Sequence, residues 1–195
     1  MARSPLAALA LVAAVPSAMA APIEVTRFHT PDSLVTLGRG AVAVVGAPGT
    51  DPASLETRVW LQAVEAELAA LHFGSATPGA ADCFAEVRLE RQTERTERRR
   101  GPVSVGVGGA TGGWNSGVGL GVGFNLGGGP RALVITRLAV TIRSRATGQA
   151  LWEGRADNTE KDGAKLAAID QAAPRMAHAL FSGFPGTSGA TITVK

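Results

Sequence analysis

The chain is poor in the side chains on which most protein chemistry depends. It has no tyrosine, one cysteine and three histidines in 195 residues, and aromatic residues make up only 5% of it. A single cysteine excludes an internal disulfide. The histidines are His29, His72 and His178, and none has a histidine or cysteine neighbour at metal-ligand spacing. Charge of one sign is also lacking, with 19 Lys and Arg against 16 Asp and Glu. That small excess does not describe a nucleic-acid-binding surface. No unbroken apolar run reaches the roughly 18–20 residues that a membrane-spanning helix requires. What remains, 45% hydrophobic and 18% charged residues, is enough for a folded core, and the length fits one domain.

The first thing present is an address. Arg3 supplies a positive start, Leu6 to Val15 is an apolar run, and Pro16 ends it. Ala18-Met19-Ala20 places small residues where a leader peptidase reads them. The pattern predicts a cleavable secretory signal over residues 1–20, cut between Ala20 and Ala21, and a single mature domain over 21–195. The expected location is the periplasm, with peripheral association with the outer membrane as an option. A lipid anchor would need a cysteine just after the apolar run, and Cys83 is far beyond it, so a lipoprotein is not expected. Removing Arg3 leaves 18 basic residues against 16 acidic ones.

Periodicity then gives the elements. Ile23 to Asp32 reads as irregular. Ser33 to Leu37 reads as a strand or a lead-in, and Ala41–Val45 as a short buried strand. Asp51-Pro52 is a helix-start signal, and Leu61, Val64, Leu68 and Leu71 share one helical face, which predicts a helix over about 53–72 ending at Gly74. Cys83, Ala85, Val87 and Leu89 alternate with more polar neighbours, as a half-buried strand does. Residues 132–144 and 151–155 read as a hairpin turning at Thr147-Gly148, and Asn158–Gly163 as a polar loop. Leu166, Ile169, Ala173, Met176 and Leu180 form a helical stripe interrupted by Pro174, and Thr191–Val194 offers an edge strand. The fold expected is α+β: a small, mostly antiparallel sheet with two helices on one face.

One segment is out of character. Residues 101–129 hold 13 of the 25 glycines. Val103, Val105 and Val107 alternate, as do Val118, Leu120, Val122, Phe124 and Leu126, which predicts a Gly-rich β-hairpin insert over about 101–130 with one apolar face. Arg88 to Arg100 carries six arginines and three glutamates just before it.

Taken together, these residues resemble the DUF4136 family of bacterial envelope proteins. The pieces that carry the resemblance are Phe28-His29, the Ala41–Val45 strand, the Leu55–Leu71 helix, the glycine block, Gly148-Gln-Ala-Leu-Trp-Glu-Gly-Arg155 and Leu180-Phe-Ser-Gly-Phe-Pro-Gly186. The resemblance implies a periplasmic or outer-membrane-associated domain and brings no established catalytic residues. Many members look like lipoproteins, and this chain departs from them there.

No chemical motif is complete. Within the glycine block no register satisfies Gly-x-Gly-x-x-Gly: from Gly106 the sixth residue is Thr111, and from Gly117 it is Val122. No Gly-Lys-Ser/Thr follows any glycine there, so a phosphate-binding loop is absent. Gly186-Thr187-Ser188-Gly189 misses the nucleophile elbow by one position and has no downstream histidine. Cys83 reads as a buried, unpaired small residue beside acidic Asp82. The leading expectation is therefore a non-catalytic envelope domain without cofactor or metal. It would bind a partner protein, a membrane surface or a cell-wall component, or a second copy of itself, through the Gly-rich hairpin. The candidate contact residues are Arg98, Arg99, Arg100, Trp114, Phe124 and Arg131. An enzyme with His29, Asp32 and Asp157 brought together, and a small-ligand module using Trp60, Trp114 and Trp152, are the alternatives.

Overall fold

The structure is a computed structural model that describes residues 20–38, 40–95 and 132–195. Residues 1–19 of the expected leader and the glycine block, with all six candidate contact residues, lie outside the described residues.

The elements follow in the order β1 (Ile23–Phe28), α1 (Pro31–Leu37), β2 (Ala41–Gly46), α2 (Leu55–Ala70), β3 (Gly74–Ser75), β4 (Cys83–Arg95), β5 (Ala132–Ser144), β6 (Ala150–Lys161), a 3-10 turn (Lys165–Ala167), α3 (Ile169–Phe181) and β7 (Thr191–Val194). The strands form one sheet in the order β3-β2-β4-β5-β6-β1-β7. Helix α2 packs on β2, β4 and α3; α3 also packs on β6 and β1, and α1 lies against β6.

This corrects the expected small, mostly antiparallel sheet with two helices. The described sheet has seven strands and is mixed, and three α-helices accompany it. β2 runs parallel to both β3 and β4, because α2 carries the chain back across the sheet and lets it re-enter in the same direction. The other pairings are antiparallel.

Three local expectations also change, each for an identifiable reason. Residues 23–28 form a full strand between β6 and β7 rather than an irregular lead-in. Their buried face is Ile23, Val25 and Arg27, so a buried arginine breaks the apolar alternation that a sequence pattern looks for. Residues 33–37 are helical because Thr30 and Ser33 make a reciprocal capping box: each side chain accepts from the other's backbone N–H, at 3.1 and 2.9 Å. Residues 158–161 continue β6 rather than forming a loop.

The ends of α2 shift slightly as well. Ser54, not Asp51, caps it, while Asp51 holds the preceding turn through the Ala53 N–H. The helix stops before Gly74. His72 takes the left-handed conformation (φ 65°), and the N–H groups of His72 and Phe73 bond back to Ala69 and Leu68. This is the double closure of a Schellman turn, with Phe73 and Leu68 both buried in the core.

The core has a gradient along the strands. At one end the Trp152 indole stacks on Phe181 (centroids 5.3 Å apart, 17° between planes) and touches Phe184 at 5.2 Å. Its Nε1 donates to the Pro185 carbonyl at 3.1 Å. Gly154, two residues on, leaves the room: a Cβ there would fall 2.3 Å from the indole. The two short motifs centred on Trp152 and on Phe181-Ser-Gly-Phe-Pro thus form one packed unit. Successive rows of the core face then run through Leu89, Leu138, Ala156 and Val25 to Arg91, Thr136, Asn158 and Ile23. The polar rows mark the opposite end of the sheet.

Candidate functional site

β4 and β5 pair without interruption over 13 residues each, from Cys83↔Ser144 to Arg95↔Ala132. β6 accompanies them as far as Leu133↔Lys161. The result is a three-stranded arm whose tip is the point where residues 96–131 enter and leave. Gln92, Thr93, Glu94 and Arg95 are all exposed. On the face away from α2 and α3, Arg137 spans the arm, bonding Asp157 on β6 at 2.6 Å and Glu90 on β4 at 3.3 Å. The Asp157 hydrogen bond and its charge hold the Arg137 guanidinium above its ordinary pKa. Arg143 and Glu86 repeat the pairing at 3.0 Å nearer the other end.

Under the arm, on the core face, is a polar cluster. Glu160, 9% exposed, accepts from Arg175 of α3 at 2.9 Å and from the backbone N–H of Ala21 at 3.1 Å, both on Oε1. Arg175 also donates through Nη2 to the Ala21 carbonyl at 2.5 Å, while its buried Nε carries no hydrogen bond. Asn158 adds bonds to the carbonyls of Ala21 and Pro22 at 3.5 and 3.2 Å. A cavity of about 540 Å³ opens beside the cluster, and Leu133, Lys161, Lys165 and Leu166 help to line it. Arg91 reaches from β4 to the Ala167 carbonyl and approaches Glu56 at 3.8 Å. Ala21, the end of β7 (Val194 opposite Ile23) and the base of residues 96–131 therefore share one end of the sheet.

Sequence reasoning missed Glu160, Arg175 and Asn158. The signal was present: Trp152, Gly154, Ala156, Asn158 and Glu160 keep a strict period of two, and all are buried. Their polarity disguised the last part as a loop.

The other sequence-predicted residues are occupied elsewhere. His29 bonds through Nε2 with the Gly186 carbonyl at 3.0 Å, and its backbone exchanges hydrogen bonds with the Ser188 hydroxyl. Ser188 so serves a turn. Asp32 is exposed in the first turn of α1. Asp157 is engaged by Arg137 and sits opposite Glu24, four residues along β1 from Phe28, or about 13 Å. The structure does not bring Asp157 together with His29 and Asp32. Trp60 and Trp152 are buried in the core.

Cys83 is buried and unpaired, and burial together with the Asp82 charge pushes its thiol pKa up. It borders an open cavity of about 610 Å³ with Asp82 and Arg145. The Asp82 carboxylate there already accepts from the Ala41 N–H at 2.9 Å, and a raised thiol pKa suppresses the nucleophilic form. Among the described residues no three His, Cys, Asp or Glu groups are placed to hold a metal ion. No described helix is long and apolar enough to cross a membrane.

Comparison with known proteins gives little chemistry. A 62-residue stretch is 44% identical to the uncharacterised protein ZMO1243 of Zymomonas mobilis subsp. mobilis, covering 32% of this chain and 23% of that one. The chain thus matches about a quarter of that relative's length. Two solved structures are similar at low identity. One is a PDZ domain protein from Parabacteroides distasonis (11% identical, TM-score 0.47, 89% of this chain and 39% of that one). The other is a PelC variant dodecamer from Paraburkholderia phytofirmans (12% identical, TM-score 0.45, 81% and 95%). The model of the domain of unknown function DUF4136 matches residues 32–186, which include β2 through α3 and the Trp152–Phe181–Phe184 unit, and the chain belongs to that family.

Proposed function

We propose that this chain is an exported, non-catalytic envelope domain that binds through residues 96–131, displayed on the tip of the β4–β5–β6 arm. The observation that carries the reading is the unbroken pairing to Arg95↔Ala132. Two strands held in register over that length, cross-linked by Arg137, fix the two roots of the segment at the end of the sheet opposite the aromatic core. The basic run Arg98–Arg100 and Arg131 flanks an apolar, glycine-rich stretch. That composition suits an anionic membrane surface or an apolar partner edge. A non-catalytic role accords with the engagement of His29, Asp82 and Asp157 in local structural bonds.

The test replaces residues 96–131 by an Asn-Gly turn, which suits a two-residue hairpin connection. Both proteins are exported from the same cells, and the cells are then fractionated by osmotic shock and salt washing. The full chain is expected to remain with the envelope, and the shortened chain to appear in the shock fluid with its thermal midpoint unchanged within about 3 °C. Equal partition of the two proteins sinks the reading.

A further inference from the structure

The polar cluster under the arm is gathered around one point of the chain. Sheet ends are usually left to solvent. Here a buried carboxylate and a guanidinium converge on the backbone of one residue, Ala21, and an amide donates to the carbonyls of Ala21 and Pro22. Ala21 is also the position at which the small-residue pattern Ala18-Met19-Ala20 places the first residue after cleavage. Neither observation depends on the other: one is a spacing in the leader, the other a set of contacts made by β6 and α3.

We propose that Glu160 and Arg175 form a cradle for the α-ammonium group that leader cleavage creates at Ala21. This rests on the export reading above. The cleavage itself is hydrolysis by a leader peptidase acting on the unfolded chain. Water adds across the Ala20–Ala21 amide, the C–N bond breaks, Ala20 leaves as a carboxylate, and the nitrogen of Ala21 takes both protons of the water to become an ammonium. Folding then closes β6 and α3 on the product. The nitrogen already sits 3.1 Å from Glu160 Oε1, and among the described residues Oε2 carries no hydrogen bond. An ammonium has three donors where the amide had one, so it can engage both oxygens. The Ala21 carbonyl is held at the same time by Arg175 and Asn158, and Pro22 fixes the next backbone angle. The charges facing the nitrogen are Glu160 and Arg175, with Lys161 and Lys165 on the wall of the adjoining cavity. Glu160 is the one carboxylate in that set, so it carries the attraction. The cradle, which already accepts the Ala21 N–H of the uncut chain, would thereby hold the cut chain more strongly.

Two arms test the idea separately. The intact mass of the exported chain should correspond to residues 21–195; any other N-terminus overturns processing at this bond, and retention in the cytoplasm overturns the export reading. The second arm needs no export. Residues 21–195 are released from a removable tag that leaves Ala21 free, and compared with the same chain extended by Gly-Ser. Glu160→Gln is made in each. The thermal midpoint should fall further in the free-amine form than in the extended form, by about 3 °C. Acylation of the α-amine at pH 7 should be about tenfold slower in the folded wild type than in its Glu160→Gln variant, as a one-unit change in amine basicity would give. If the variant does not fold, the folded wild type is compared with the same chain in urea, and the same slowing is expected. Equal midpoint losses and equal acylation rates overturn the cradle wherever the exported chain is found.

Discussion

The two ends of the sheet are built from different materials. At the Trp152 end, cohesion comes from aromatic rings: Trp152, Phe181 and Phe184 are in mutual contact, and Phe73 meets Phe184 edge-on. Its buried charge, Arg27, has carbonyl partners: Nε and Nη2 donate to Leu180, Ala179 and Ser182 at 2.7–3.0 Å, capping the end of α3. Burial lowers its pKa, and the negative end of the helix compensates the charge. At the arm end the core rows turn to Thr136, Asn158 and Glu160, and cohesion comes from the Arg175–Glu160 ion pair and from the bonds that both make to the Ala21 backbone. Apolar packing tolerates no exchange of partners, whereas polar bonds can be made to a new chain end or a ligand. The comparison teaches that aromatic packing is concentrated at one end, and that Ala21, Val194 and the roots of residues 96–131 are gathered at the other.

The strongest way to break that comparison is Trp152→Ala. It removes a fully buried ring from two aromatic contacts and is expected to cost about 3–5 kcal/mol, read from denaturant midpoints. Arg27→Met comes next, at about 2–3 kcal/mol, because it leaves three helix-end carbonyls without their donor. Gly154→Ala needs no loss of contact: the added methyl would meet the indole at 2.3 Å and Leu180 at 2.8 Å. The ring is held by Phe181 and by Pro185 and has no free direction in which to move, so about 1–3 kcal/mol is expected. A destabilisation below about 0.5 kcal/mol for Gly154→Ala would mean that the indole repacks and that the aromatic end is looser than its geometry.

Legibility in the sequence followed the same division. The strand through Cys83–Leu89, the hairpin at Thr147-Gly148, the helical stripe ending at Leu180 and the C-terminal strand are all readable as apolar period or turn residues. What escaped is what a buried polar residue hides. β1 carries Arg27 on its inward face, and the last turn of the β6 pattern carries Asn158 and Glu160. Each is satisfied by groups distant in sequence, Arg27 by carbonyls more than 150 residues away. Local pattern has no access to such partners, so these segments read as irregular chain. The parallel entry of β2 escaped for another reason: a helix between two strands permits either direction unless the handedness of the crossover is considered. The candidate site divides likewise. The small-residue spacing Ala18-Met19-Ala20 stands in the sequence for any reader, while the hold of Glu160 and Arg175 on Ala21 left no local signal.

The arm end itself offers the finest test, because it holds two arginine pairs that differ mainly in burial. Arg175 and Glu160 are 21% and 10% exposed, whereas Arg137 and its partners Glu90 and Asp157 are 48%, 58% and 35% exposed. Arg175→Gln leaves a nearly buried carboxylate with one donor fewer and is expected to cost about 1–2 kcal/mol, largely insensitive to salt. Arg137→Gln should cost under about 1 kcal/mol, and the loss should fade as sodium chloride approaches about 1 M, where screening reaches a few ångströms. Both are read as thermal midpoints across a salt series. A larger, salt-sensitive loss at Arg137 than at Arg175 would relocate the cohesion of this end from the Ala21 cluster to the outer face of the arm. The arm would then owe its rigidity to the cross-strand network, and the cluster beneath it would be free to serve the chain start alone.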